Sequence, residues 1–403
     1  MTMFRYTNFK IEAEQMKKYF KYILLSAALM VPVAEISADE WQDITAKAKG
    51  QTVYFHAWAG SPEINAYIQS IGAQLKEKYG VTLEHIKIND TAASVQKISA
   101  EKTAGKNDKG SVDLIWINGE NFSQMKSQGL LFGPFTQKLP DYKYVDTSNQ
   151  SLIYDFNQAV DGMESPWGTA RLAFIYDSAR LKTPPADISA LYEFTKKNPG
   201  KFAYPAPPNF HGTTFIKQLL IELTNYAPEL NKPYTEAAFN KITPKLWAYL
   251  DKIHPHLWGK GDMFPRDTAH LYQMLDDRVL DIVFTFNPNE ARSAFLNGKM
   301  PETVRTYVHK KGTIGNAHFL AIPFNSASKE AAMHRREKPI PKIWGDPTVL
   351  DLKKLSAEDR RHFESIDIGV QALPLSEQGN MLREPHSSWV EPLETAWKKR
   401  YYR

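Results

Sequence analysis

"VDLIWINGENF", residues 112–122, opens as the middle of a buried β-strand and closes as something else. Val112, Leu114, Ile115 and Ile117 are apolar, and three of them are β-branched, which suits a pleated core surface. Asn118, Gly119, Glu120 and Asn121 then follow directly, with Trp116 just before them. A core strand gains nothing in burial from ending in three hydrogen-bonding side chains, so the ending calls for an explanation outside the core.

The surrounding sequence supplies the frame. "TVYFHAW" (52–58) reads as a strand. Residues 62–80 follow with Ile64, Ile68, Ile71 and Leu75 at helical spacing and Pro62 at the first turn, the pattern of a helix. "VTLEHIKI" (81–88) is a second strand, and residues 91–105 read as a helix stopped by Gly105. The quoted stretch is the third strand, and residues 120–129 the third helix. Strands alternating with helices through short connections predict a parallel sheet with right-handed crossovers. Ligands of open parallel sheets sit beyond the carboxyl ends of the strands. Three such ends occur here: Trp58 with Gly60 and Ser61, Asn89-Asp90-Thr91, and Asn118 to Asn121. Each leads into a helix N-terminus with free backbone N–H groups. Helix capping alone accounts for Asn89-Asp90-Thr91, because these are preferred cap residues. It does not account for an aromatic neighbour or for several polar groups together, as at Trp58 and at Asn118, Glu120 and Asn121.

The middle of the chain repeats the plan. Residues 200–223 run from a strand containing Tyr204 through a proline-rich turn and Gly212-Thr213-Thr214 into an apolar helix. Residues 279–298 run strand, Asn287-Pro288-Asn289-Glu290, helix. Two long extended stretches, 164–181 and 311–325, read as crossings between lobes; the first is entered through Pro166-Trp167-Gly168 and the second carries Asn316. The expected architecture is α/β, with two lobes joined by two hinge crossings and a ligand cleft between them. The expected boundaries are 1–38 for an upstream extension and signal peptide, 39–170 for the first part of lobe 1, 171–314 for lobe 2, and 315–403 for the return to lobe 1 together with a C-terminal segment.

The first segment and the composition fit an exported chain. Lys17, Lys18 and Lys21 precede an apolar run from Tyr22 to Val33, and Ile36-Ser37-Ala38 offers a small residue before a cleavage point. This is the layout of a signal peptide starting at Met16, and the run is too short for an ordinary membrane span. No cysteine occurs among the 403 residues, which removes disulfides, thiol catalysis and a cysteine-linked lipid anchor from consideration. Residues 1–38 hold five of the 50 Lys and Arg and three of the 45 Asp and Glu, leaving the remainder near neutral at +3. So even a balance gives no electrostatic footprint for nucleic acid.

Motifs for chemistry are missing. The sequence contains no G-x-S-x-G elbow, H-E-x-x-H pair, P-loop or G-x-G-x-x-G fingerprint. His254-Pro255-His256 is the tightest histidine pair, but a metal site needs three or four convergent ligands. Asp276-Asp277 and the basic stretch 330–339 read as solvated faces. Trp58, Trp167 and Tyr204 lie beside turns where a planar or cationic ligand could stack, or where aromatics could pack the lobes. An exported hydrolase would have to use Glu120 or Glu290 as acid or base, and neither has a partner at suitable spacing. A non-transport sensor on the same fold is the other alternative.

Several stretches carry a resemblance: 57–68, 110–135, 165–181, 202–223, "HPHLW" (254–258), 312–325 and "WGDPTVLDLKKL" (344–355). In this order they resemble the YnjB-type solute-binding proteins of bacterial ABC importers. The resemblance implies a type II periplasmic-binding-protein fold, a periplasmic location and no catalytic residues. It implies partnership with a membrane permease and its ATPase. More distant relatives of that fold bind thiamine, polyamines or ferric iron. The expected ligand residues are Trp58, Ser61, Asn118, Glu120 and Asn121 from lobe 1, Tyr204, Thr213, Thr214, Asn287 and Glu290 from lobe 2, and Trp167 and Asn316 near the hinge. Two carboxylates and an exposed indole favour a cationic or hydrogen-bond-rich small molecule, thiamine-like if aromatic. No metal or cofactor is expected, and the chain is expected to act as a monomer. One departure stands out. The family carries a helix of roughly three or four turns after the strand corresponding to Ala321–Phe324. Here Lys329–Met333 runs straight into His334, which implies a shortened and less stable first lobe.

Overall fold

The structure is a computed structural model and describes residues 38–59, 62–334 and 348–402. The expected signal peptide, Ser61 and the stretch 335–347, where the family helix is expected, lie outside the described residues.

The first lobe opens with α1 (Ala38–Ala48), β1 (Thr52–Trp58), α2 (Pro62–Tyr79), β2 (Thr82–Ile88), α3 (Thr91–Thr103), β3 (Leu114–Ile117) and α4 (Gly119–Ser127). β1 pairs in parallel with β2 along its whole length and with β3 at Phe55 and His56, so the alternation read from the sequence is realised. Asp90 caps α3 by accepting from the Ala92 N–H at 2.8 Å, as its residue type leads one to expect. A small antiparallel pair, β4 (Tyr154–Asp155) and β5 (Gln158–Ala159), precedes the first crossing.

The crossing consists of β6 (Glu164–Arg171) and β7 (Ala173–Asp177), two strands separated by Leu172 alone. β6 belongs to the first sheet and β7 to the second. The second lobe is built from α5 (Ile188–Lys197), α6 (Phe210–Thr224), α7 (Glu236–Ile242), α8 (Pro244–Ile253), α9 (Thr268–Asp276), β8 (Ile282–Thr285), α10 (Glu290–Leu296) and β9 (Val304–Tyr307). Here β7 is the central strand, antiparallel to both β8 and β9. The strand expected around Tyr204 shrinks to a single bridge between Phe202 and Ile282. Prolines 205, 207 and 208 explain this, since proline cannot donate to a sheet ladder.

The second crossing is β10 (Thr313–Ala321), buried along its whole length. It returns to the first sheet, antiparallel to β3 on one side and to β6 on the other. After β10 come α11 (Lys329–Ala332), α12 (Ala357–Glu364), β11 (Met381–Leu382), which pairs with the start of β10, and α13 (Val390–Tyr401).

Among the described residues, each lobe holds an apolar core. Val95, Ile98, Ile115, Ile117, Phe122, Met125 and Phe319 pack in the first lobe. Phe174, Phe202, Phe215, Leu219, Leu250 and Phe284 pack in the second. The last 89 residues divide between the two cores. Val349 joins the first core, whereas Trp389, Leu393 and Trp397 are fully buried in the second. Their spacing of four residues puts all three on one helical face. Each such side chain contributes about 1.5–3 kcal/mol on burial, which fixes α13 to lobe 2.

Candidate ligand site

β1 and β3 end at the same edge of the first sheet. Trp58 closes β1 and remains 42% exposed. Its ring stands edge-on to Trp116 (centroids 6.2 Å apart, 83°), and Trp116 stands edge-on to Trp167 (4.4 Å, 88°). Trp167 also stacks on Tyr67 of α2 at 6.3 Å, and His318 of β10 lies 4.7 Å from Trp116. The position of Trp167 has a backbone cause. In the β6–β10 ladder Gly168 faces His318 and Pro166 faces Phe319, so Trp167 is the extra residue of a β-bulge. Such bulges re-aim a side chain out of the regular alternation. Trp167 therefore buttresses the aromatic row from the hinge strand.

The loop between β3 and α4 is held by a buried carboxylate. Asn118 occupies the cap position of α4 in extended conformation but makes no side-chain capping bond. Instead Asp155 Oδ2 accepts the Gly119 N–H at 2.7 Å. Gly119 has φ +61°, and a Cβ there would meet the Phe156 ring at 2.9 Å, so glycine is required. Burial raises the Asp155 carboxyl well above its ordinary range, and the nearby Glu120 and Glu384 carboxylates raise it further. Burial and Asp155 do the same to Glu164. Capping thus does not use the Asn118 side chain, Glu120 is exposed, and Asn121 is half-buried.

On the second lobe, Asn287 and Glu290 stand at the β8–α10 turn and are half-buried. Asn287 Oδ1 accepts from the Asn289 N–H at 3.0 Å, and its own N–H donates to Thr285 Oγ1 at 3.1 Å. α10 reaches the first lobe: Ser293 Oγ and Asn297 Nδ2 both donate to Glu63 Oε1, each at 3.1 Å. Glu63 lies five residues beyond Trp58 in the first turn of α2, so the helix that follows β1 touches the helix that follows β8.

The remaining expected ligand residues lie elsewhere. Asn316 is buried and donates to Glu384 Oε1 at 3.0 Å; Lys217 of α6 donates to Glu384 Oε2 at 2.7 Å, with both side chains almost fully buried. Thr213 donates to Glu394 Oε1 of α13 at 2.7 Å. Burial raises the Glu394 carboxyl, the Thr213 bond opposes that, and Glu120 of the first lobe adds to it. Asn316 and Thr213 therefore sit in a hinge network with the C-terminal segment, which is also joined by Asn157 Nδ2 donating to the Glu384 carbonyl at 2.6 Å. Tyr204 and Thr214 are fully buried. The Tyr204 hydroxyl is 2.7 Å from His254 Nε2 and accepts from Trp397 Nε1 at 2.9 Å. Tyr204 is thus a core residue, displaced inward because its proline-rich turn lies over α6 rather than at a strand end. The same network accounts for His254, and no cluster of metal-ligating side chains occurs among the described residues. Sequence reasoning passed over Glu63, Glu384 and Glu394. A carboxylate in a first helical turn or in a charged C-terminal stretch carries no signal of its distant partner.

Comparison with known proteins bears on the family and the fold. The family model "Bacterial extracellular solute-binding protein" matches residues 70–334. Protein YnjB of Escherichia coli (strain K12) is 39% identical over 374 residues, covering 90% of this chain and 94% of that protein. Among solved structures, an ABC transporter from Clostridium perfringens superposes with a TM-score of 0.57 at 13% identity, over 87% of this chain and 98% of that one. The periplasmic binding protein AfuA from Actinobacillus pleuropneumoniae, with fructose-6-phosphate bound, gives 0.54 at 14% identity, over 87% and 99%. At these identities the structural likeness concerns the fold: two α/β lobes of the periplasmic-binding-protein type. With the family model covering well over half its length, the chain belongs to the bacterial extracellular solute-binding proteins.

Proposed function

We propose that this solute-binding protein is the periplasmic capture component of an ABC importer, taking one small molecule between its lobes and passing it to a membrane permease with its ATPase. Trp58, Asn118, Glu120 and Asn121 contact the solute from lobe 1, and Asn287 and Glu290 from lobe 2. Trp167 holds the indole row in place from behind. The observation that supports this reading is the Ser293–Glu63 hydrogen bond, which joins the helix following β1 of one sheet to the helix following β8 of the other. Ligands of open α/β sheets collect beyond the ends of such strands. The work of the protein is closure around a ligand, with no chemical step. The exposed indole and the carboxylates favour a cationic, hydrogen-bond-rich solute, thiamine-like in general character. The protein works as a monomer, released after cleavage of a signal peptide near Ala38.

Calorimetry with the solute carried by the purified protein tests the reading. Trp58→Ala and Glu120→Gln should each weaken binding roughly tenfold to a hundredfold, the equivalent of one charge-assisted contact of about 1.5–3 kcal/mol. Unchanged affinity in both variants would place the site elsewhere.

A further inference from the structure

Two carboxyl groups of the first lobe are buried beside each other with too few donors. Asp155 of β4 and Glu164, the first residue of the hinge strand β6, are both almost completely shielded from solvent. Asp155 Oδ2 accepts the Gly119 N–H at 2.7 Å, but Asp155 Oδ1 and both oxygens of Glu164 have no hydrogen-bond partner. An ionised carboxylate only accepts hydrogen bonds, and a charge left bare in a core is costly. A protonated carboxyl changes the count, because its O–H is itself a donor.

The charged groups facing the pair do not neutralise it. Helix α4 brings Glu120 and Lys126, and the C-terminal segment brings Glu384. Glu120 and Glu384 add negative charge at Asp155. Lys126 attracts Glu164, but its ammonium group already donates to the Ala159 carbonyl at 2.5 Å and to Asp161 Oδ2 at 2.6 Å. Lys217 is matched to Glu384. Burial raises both carboxyls; Asp155 adds to this at Glu164, whereas the Gly119 N–H works the other way at Asp155. The hydrogen bond from Gly119 thus favours the charge on Asp155, and Glu164, with both oxygens bare, is the group to carry a proton.

We infer that Glu164 is a neutral carboxylic acid at physiological pH and donates its O–H to Asp155 Oδ1, so that Glu164, Asp155 and Gly119 form one relay from the hinge strand to the loop of Asn118, Glu120 and Asn121. The pair keeps one proton and one negative charge, and the resulting O–H to carboxylate bond is of the strong, charge-assisted kind. Glu164 is a positioning residue: it fixes the Asp155 carboxylate, which fixes the Gly119 N–H. The relay stands without the capture reading; only the loop's part in holding a solute rests on that reading.

Denaturation, infrared spectroscopy and amide exchange of the full mature chain, with no solute added, test the relay. An acid that keeps its proton when folded and releases it when unfolded makes the folded state less favoured as the pH rises above the ordinary value of 4.5. Between about pH 5 and 7 the unfolding constant of the parent, divided by that of Glu164→Gln, should rise about tenfold per pH unit. Contributions of groups outside the pair cancel in this ratio, and a ratio independent of pH would overturn the inference. Infrared spectra decide the protonation state directly, with glutamate isotopically labelled at its side-chain carboxyl. They are taken in a Glu394→Gln background, because burial raises that group as well. A protonated-acid band should be present at pH 7 and vanish on adding Glu164→Gln. Carboxylate bands alone would overturn the inference, whether or not the Glu164 variant folds. The relay is read at Gly119 itself. Its amide exchange, relative to the core amide of Ile117, should stay near the parent value in Glu164→Gln, whose side-chain amide still donates. It should rise about fivefold or more in Glu164→Leu, which cannot donate. Equal exchange at Gly119 in the two variants would contradict the relay.

Discussion

Glu63 of the first lobe accepts a hydrogen bond from the Ser293 hydroxyl of the second at 3.1 Å, and Asn297 donates to the same oxygen. This contact joins the first turn of α2, which follows β1, to α10, which follows β8. A hydrogen bond between the two lobes holds them together in the arrangement in which it forms. Glu63→Ala should shift the lobes toward an open state and weaken solute binding about fivefold, the value of a net hydrogen-bond loss of about 1 kcal/mol. Small-angle scattering should show a larger radius of gyration for the variant at sub-saturating solute. Identical scattering and affinity would remove the latch.

Lys217 and Glu384 form an ion pair with almost no solvent contact, completed by Asn316. Removing one partner of such a pair strands the other charge. Lys217→Met should cost about 3–5 kcal/mol in urea denaturation, a large part of the roughly 5–15 kcal/mol expected in total. The double variant Lys217→Met/Glu384→Gln should recover part of that loss. A single variant as stable as the parent would mean the pair does not hold the hinge.

The Tyr204–His254–Trp397 network gives a pH dependence with a definite sign. Burial pushes the His254 imidazole down to about 4, from an ordinary value of 6.5. The unfolded chain therefore takes up a proton before the folded chain does. The stabilisation is complete above pH 6.5 and is lost as the pH falls from there toward 4. The loss should be about 3 kcal/mol at most, at 1.36 kcal/mol per unit. Denaturation curves of the parent and of His254→Gln between pH 7.5 and 4.5 should differ in slope over that window. Parallel curves would count against a neutral, buried His254.

Gly119 links the buried Asp155 to the loop of Asn118, Glu120 and Asn121. With φ +61° and Phe156 within 2.9 Å of a new methyl group, Gly119→Ala should destabilise by about 1–2 kcal/mol. It should also lower solute affinity by displacing the loop. A shifted urea midpoint with unchanged affinity would separate the loop from the site.

The sequence made the first lobe legible because local periodicity decides it: β1 through α4 follow the alternation of "TVYFHAW", "VTLEHIKI" and "VDLIWI" with helical segments. The two crossings were legible as long extended runs, although their division at Leu172 was not. The C-terminal segment was not legible. Trp389, Leu393 and Trp397 announce a buried helical face but do not say which lobe buries it. Asn316 and Thr213 have the right chemistry for a ligand site, yet Glu384 and Glu394, distant in sequence, occupy their side chains. Tyr204 was misplaced because proline interrupts its strand.

The central claim is that one small molecule is held between the strand ends of the two lobes. Native mass spectrometry of protein taken from the periplasm without refolding tests it most directly, comparing the parent chain with Trp58→Ala and Glu120→Gln. The account predicts a single small-molecule adduct per chain in the parent, reduced or lost in both variants at unchanged melting temperature. An adduct retained at full occupancy in both variants, or none in the parent, would contradict it.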